Sequence, residues 1–155
     1  MSTDATIDTL STDGRTRTAK KSLTRFVPIA ARVLLGLVFF VFGLDYFLHF
    51  FPAPKGPFPP GAMAFGGALM QTGYMMELIK GTEVLCGVLL LGNLFVPLAL
   101  VLIAPVVVNI VAFHAFLEPA GLPLAFILVV LLAYLGWAYR EAFRPLLSLR
   151  VKPAR

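Results

Sequence analysis

Seven polar residues sit inside stretches that are otherwise apolar: Asp45, His49, Glu77, Lys80, Glu83, Asn109 and His114. A charge in the bilayer core costs at least about 2.5–3.5 kcal/mol on insertion scales, so such groups face a protein interior and find partners. Asp45 and His49 are four apart and share one helical face. There a carboxylate holds an imidazole in one tautomer or stabilises its charged form. Glu77, Lys80 and Glu83 follow one another at intervals of three, giving one charged stripe. Lys80 neutralises one of the two carboxylates. The other is left in low dielectric as a group that can take up and release a proton. Glu83 is the strongest single candidate and His114 its partner in proton transfer, because a carboxylate and an imidazole complement each other as acid and base. The competing structural readings are a headgroup-level pair for Asp45–His49 and, for both Glu77 with Lys80 and Glu83, an ion pair that only holds the helices together.

His49 and His114 fall on different helices near one side, which is the minimum that bis-histidine haem ligation requires. No other feature supports haem. A metal set of both histidines and a carboxylate is equally bare, and no metal is assigned. Cys86 is the single cysteine. Without a CxxC pair the chain has no dithiol chemistry of its own. Walker, Rossmann and HExxH patterns are absent from the sequence.

The elements that must position these residues are membrane spans. The 155-residue chain is 59% hydrophobic and 14% charged, and its mean hydropathy is +0.88. A soluble domain averages about a quarter charged residues. The fold class is therefore all-α, a polytopic integral membrane protein with a four-transmembrane-helix bundle. The expected spans are Phe26–Phe50, Tyr74–Leu91, Phe95–Leu117 and Leu122–Tyr139. About 20 apolar residues suffice for each crossing. The second is the weakest because it carries Glu77, Lys80 and Glu83. The prolines at 52, 54, 57, 59 and 60 prevent a continuous helix after the first span. Ala62–Leu69 fits a short interfacial helix. Pro105 lies inside the third span and frees the carbonyl of Val101. Gly36, Gly43, Gly87 and Ala133 are candidates for close helix contacts or for small residues facing lipid. The fourteen phenylalanines read as packing or lipid-facing residues.

Residues 1–25 read as a disordered basic cytoplasmic tail, 26–148 as the membrane domain and 149–155 as a basic cytoplasmic C-terminal tail. The apolar run after the first tail is too long and aromatic for a cleaved signal peptide. Arg15, Arg17, Lys20, Lys21 and Arg25 precede the first span, and Arg140, Arg144, Arg150, Lys152 and Arg155 follow the last. Basic residues stay cytoplasmic, and an even span count puts both ends on one side. The net charge of +5 is thus directed at anionic lipid, not nucleic acid. In this orientation Asp45 lies about 27 Å and His49 about 33 Å along the first helix, while Glu83 is about 13 Å deep in the second. All seven polar residues fall in the outer half, which predicts an outward-facing polar pocket.

The residues ARVLLGLVFFVFGLDYFLHFF at 31–51, GTEVLCGVLLLGNLFVPLAL at 81–100 and APVVVNIVAFHAFL at 104–117 carry a resemblance. The chain resembles the DoxX family of small bacterial four-helix membrane proteins over about residues 26–148. The family pattern of an Arg before Leu-Gly, a Gly late in the first helix, a Glu before a Gly-Leu-Leu run and a late His is matched by Arg32, Leu35 and Gly36, by Gly43, by Glu83, Gly87, Leu89 and Leu90, and by His114. Many relatives have Lys or Asn where this chain has Asp45. The resemblance implies a place in the bacterial cytoplasmic membrane. Some relatives are similar to the DoxD-type subunit of thiosulfate:quinone oxidoreductase, and others associate with redox or thiol-stress enzymes.

Three functions compete at this point. The first is the membrane subunit of a quinone-linked oxidoreductase, with quinone as ligand and Glu83, His114 or Asp45 passing protons. Its electrons would come from partner subunits. The second is a non-catalytic scaffold for redox or stress enzymes, its basic termini binding partners or lipid. The third is proton or small-solute transport, which a protomer this small would run as a homo-oligomer.

Overall fold

The computed structural model describes residues 4–52 and 57–144, with side chains from Phe26 onward. Six α-helices follow in order: α1 (Asp4–Leu48), α2 (Pro60–Gln71), α3 (Met75–Leu91), α4 (Val96–Phe116), α5 (Leu122–Ala138) and the single turn α6 (Arg140–Phe143). A 3-10 turn at Pro119–Gly121 joins α4 to α5. No strand occurs among the described residues. The expected element bounds are met within two residues for α3, α4 and α5. The short helix after the proline run is longer than expected.

Helix α1 starts far earlier than the first expected span. Its backbone is helical from Asp4, through the segment whose composition reads as a tail. Extending a formed helix avoids the cost of nucleation, which is the physical route by which a polar segment joins an apolar helix. Pro28 accordingly lies inside α1. The expected C-terminal tail, 149–155, lies outside the described residues.

Three helical stretches are long and apolar enough to cross a membrane: Phe26–Leu48, Val96–Phe116 and Pro119–Ala138. The chain therefore carries the spans of a membrane protein. Helix α3, with 17 residues and three charges, does not meet that measure. It is nevertheless central to the packing. α1 packs most extensively on α3, α3 on α4, α4 on α5 and α5 back on α1. The four helices close a ring around Leu35, Leu90, Ile103 and Leu135, none of which is exposed.

Two glycines set the close approach of α1 and α3. A Cβ added at Gly87 would lie 2.6 Å from the backbone nitrogen of Phe40, and one at Gly36 would lie 3.0 Å from the Cβ of Leu90. Backbones this near leave no room for side chains, the usual device for joining helices in lipid. Gly43 adds a third contact, 3.0 Å from the Cβ of Glu83. Ala133 is exposed and faces outward instead.

The end of α3 is capped twice. Leu94 N–H donates to the Leu89 carbonyl at 2.8 Å and Asn93 N–H to the Leu90 carbonyl at 3.2 Å, with Asn93 at φ 56°. This is the Schellman arrangement, with Asn in the left-handed position that glycine usually fills. Arg32 on α1 supplies the second cap. Its Nη1 donates to the carbonyl of Leu90 and, at 3.4 Å, to that of Leu91. A cation at a helix C-terminus meets the negative end of the helix dipole. Arg32 is only 7% exposed.

Candidate functional site

A cleft of about 200 Å³ opens among all four ring helices. Its polar lining is Lys80 and Glu83 from α3 and His114 from α4, and its apolar walls include Val38, Phe39 and Phe42 from α1 and Leu124 and Leu128 from α5. Glu83 is 3% exposed. Gly43 on α1 lets the helix backbone pass directly over the Glu83 Cβ, which is why the carboxylate is enclosed.

Lys80 Nζ donates to Glu83 Oε2 at 2.8 Å. Of the two carboxylates that the spacing left open as its partner, Lys80 therefore pairs with Glu83, the residue expected to carry protons. Glu77 is exposed and accepts a hydrogen bond from Tyr46 Oη across the α1–α3 boundary at 3.2 Å. Three residues of α3 share a stripe, but the interior begins only at Lys80.

His114 is held by the connection that follows its own helix. Its Nδ1 lies 2.9 Å from the Glu118 carbonyl oxygen and 2.8 Å from Glu118 Oε2. The same Oε2 accepts from Gly121 N–H at 3.2 Å. Every neighbour of Nδ1 is thus an acceptor, so the ring proton belongs on Nδ1 and the neutral ring carries its lone pair on Nε2. Gly121 makes the fit possible. A Cβ there would sit 2.0 Å from His114 Cε1. Nε2 has no protein partner among the described residues.

The other expected pocket residues lie elsewhere. Asp45 does not hold the His49 ring. Its Oδ1 accepts from Phe51 N–H at 2.8 Å, closing the turn after α1. His49 is exposed, and its backbone takes a left-handed φ of 52° as the helix ends. Neither lines the cleft, so the helical spacing that puts them on one face does not survive the end of the helix. Asn109 is exposed on the outer face of α4, one helical position away from Ile110, which does line the cleft. Of the seven residues, the structure brings Lys80, Glu83 and His114 together.

No protein-family model, no curated protein and no solved structure matches this chain.

Two participants were not singled out from the sequence. Glu118 sits in a loop, and only its spacing of four from His114 carried a signal. Gly121 carried none, because its role depends on where the imidazole lands.

The arrangement has defined chemistry. Glu83 and His114 Nε2 offer acceptors, and Lys80 offers donors. Apolar walls surround all three. Such a lining has the chemistry to hold an apolar molecule by an oxygen function and to exchange a proton with that oxygen.

Proposed function

We propose that this chain is a DoxX-like four-span protein of the bacterial cytoplasmic membrane that binds the head group of a quinone-class ligand and handles its protons, as the membrane subunit of an oxidoreductase complex. In this reading α3 is the fourth span and both termini are cytoplasmic. The observation that carries it is the meeting of Glu83, Lys80 and His114 in one apolar-walled cleft built by four helices. The residues that carry the resemblance lie inside the bundle: Gly43, Glu83 and His114 line or enclose its interior and Arg32 is buried in it.

Charge explains why α3 crosses despite its weak hydropathy. Lys80 and Glu83 neutralise each other inside the ring, and Glu77 reaches the outer end, where Tyr46 meets it. At about 1.5 Å per residue, α3 comes near the span of the hydrocarbon core.

Size supports a head group as the bound part. The cleft volume of about 200 Å³ is below the roughly 300–1,000 Å³ of sites for whole drug-sized molecules. A ring with oxygen functions fits the polar corner, and its tail would remain among lipid chains. Lys80 donates to a carbonyl oxygen. As partner subunits supply the electrons, Glu83 and His114 Nε2 relay protons taken from water to the reduced oxygen, and either then accepts a hydrogen bond from the hydroxyl so formed.

The test is mass spectrometry of small molecules that copurify with the full chain in mild detergent. A near-stoichiometric quinone in the wild type, lost in Glu83→Gln and retained in Phe126→Ala on the outer face of α5, is the expected result. A folded chain free of quinone would overturn the reading and leave the scaffold function ahead. Solute flux in proteoliposomes would instead favour transport.

A further inference from the structure

Asn109 is the anomaly of the outer surface. Helix α4 is a stretch of mean hydropathy 2.6, and Asn109 lies about 10 Å inside its C-terminal end by helical rise. Its side chain is exposed and makes no hydrogen bond among the described residues. The buried side of α4 is formed by Ala99, Ile103 and Val107. Asn109 points away from that side, toward lipid. An amide with two donors and an acceptor has nothing to bond to in hydrocarbon.

A second polar group shares this face. Pro105 lies within α4 and offers no N–H to the carbonyl of Val101, four residues earlier. Val101, Pro105, Val108, Asn109, Ala112 and Phe116 are all exposed and recur at helical spacing. Val108 is 68% and Phe116 84% exposed. The face is therefore apolar knobs around one amide, with a proline-freed carbonyl a little more than two turns below it. Pro105 and Ala112 are small enough to let another helix approach.

We propose that this face of α4 is the contact between two copies of the chain, with the Asn109 side chains hydrogen-bonded to each other across a two-fold axis. An amide is its own complement: the carbonyl of one accepts from the NH2 of the other. A two-fold contact places the same residue of both copies at its centre, so one Asn per chain satisfies both. Polar side chains hold membrane helices together in this way, because lipid offers them no alternative. The cleft opens on the opposite side of α4, so pairing leaves Glu83 and His114 unobstructed. The inference does not depend on what the cleft binds.

The test uses native membranes and the full chain. Cys86 is buried and is replaced in Cys86→Ala to give a thiol-free background. In that background Ala112→Cys and Phe126→Cys each place one thiol, the first beside Asn109 on the proposed contact, with the amide kept, and the second on the exposed face of α5. A short bifunctional thiol cross-linker is expected to couple Ala112→Cys into dimers and to leave Phe126→Cys monomeric. Single-molecule photobleaching in dilute liposomes then reads the association of chains with the native residue. Asn109→Leu is expected to weaken it by roughly ten-fold, and Asn109→Gln, which keeps the amide, by less. Leucine on a lipid-facing surface suits the fold, so a loss of dimer is not a loss of structure. Equal cross-linking at both positions, a monomeric wild type, or an unchanged dimer in Asn109→Leu would each overturn the proposal.

Discussion

Lys80 Nζ lies 2.8 Å from Glu83 Oε2, one helical turn away on α3. The Glu83 side chain is 4% exposed and the Lys80 side chain 22%. The pair thus has a buried anion and a cation at the edge of the cleft. Breaking a buried pair leaves an uncompensated charge, whereas replacing both members by apolar groups can be nearly neutral. Lys80→Met should therefore destabilise the protein by about 3 kcal/mol, near the low end for such losses because Lys80 keeps some open surface. Lys80→Met combined with Glu83→Leu should recover most of that stability. Chemical or thermal unfolding in detergent measures both. With Glu83→Leu alone measured as well, losses that simply add in the double variant would show that the two side chains are not coupled.

The glycines of α1 and α3 make a second, purely steric prediction. Gly87 faces the Phe40 backbone, with 2.6 Å between that nitrogen and an added Cβ, while Gly136 on α5 has no atom within 4 Å of one. Gly87→Ala must push α1 and α3 apart, at a cost of about 1–3 kcal/mol as for other overpacked cores. Gly136→Ala meets open space and gains helix propensity, up to about 1 kcal/mol. The two substitutions should move the unfolding midpoint in opposite directions.

Arg32 tests the cap at the end of α3. Nη1 serves the carbonyls of Leu90 and Leu91, and Nε is buried with no partner among the described residues. Arg32→Met removes the cation from the negative end of α3 and is expected to cost about 1–3 kcal/mol, the loss of a charged hydrogen bond. Arg32→Lys keeps a point charge but loses the planar fork, so it should fall between wild type and Arg32→Met. Hydrogen exchange at the Gly92–Phe95 turn gives a local readout, with faster exchange expected in Arg32→Met.

Much of this fold was legible in the sequence because lipid simplifies the problem. Apolar runs and prolines placed α3, α4 and α5 within two residues, since backbone groups in a bilayer must be paired within a helix. The site was legible only in part. Glu83 and Lys80 were found because burying a charge demands a reason. The expected Asp45–His49 pair failed for a different cause. Spacing of four implies a shared face only while the helix continues, and α1 ends at Leu48. Once His49 turns left-handed, Asp45 bonds the backbone of Phe51. Asn109 and Ile110 are neighbours in sequence, yet one faces lipid and the other the cleft. Helix phase decides that, and an almost uniformly apolar α4 gives no phase signal to read. Glu118 and Gly121 lie in a connection, where no periodicity exists.

The carboxylate of Glu118 governs which nitrogen of His114 carries the ring proton. It accepts from both His114 Nδ1 and Gly121 N–H, so it fixes the ring and the loop together. Removing it in Glu118→Leu leaves only the Glu118 carbonyl beside Nδ1. The Nε2–H tautomer then becomes accessible, which turns the acceptor at the cleft into a donor. Nitrogen-15 NMR of labelled histidine reads this directly, and His49→Gln removes the second of the two histidines from the spectrum. The wild type should show a protonated Nδ1 and an unprotonated Nε2. Glu118→Leu should show a mixture, and Glu118→Gln, whose amide oxygen still accepts, should keep the wild-type pattern. Gly121→Ala should also disturb the ring, because its Cβ would overlap His114 Cε1. An Nε2–H signal in the wild type would mean that Glu118 does not orient His114. If the NMR pattern holds but Glu118→Leu binds a short-chain quinol as well as the wild type does, His114 is positioned by Glu118 without being the group that meets the ligand.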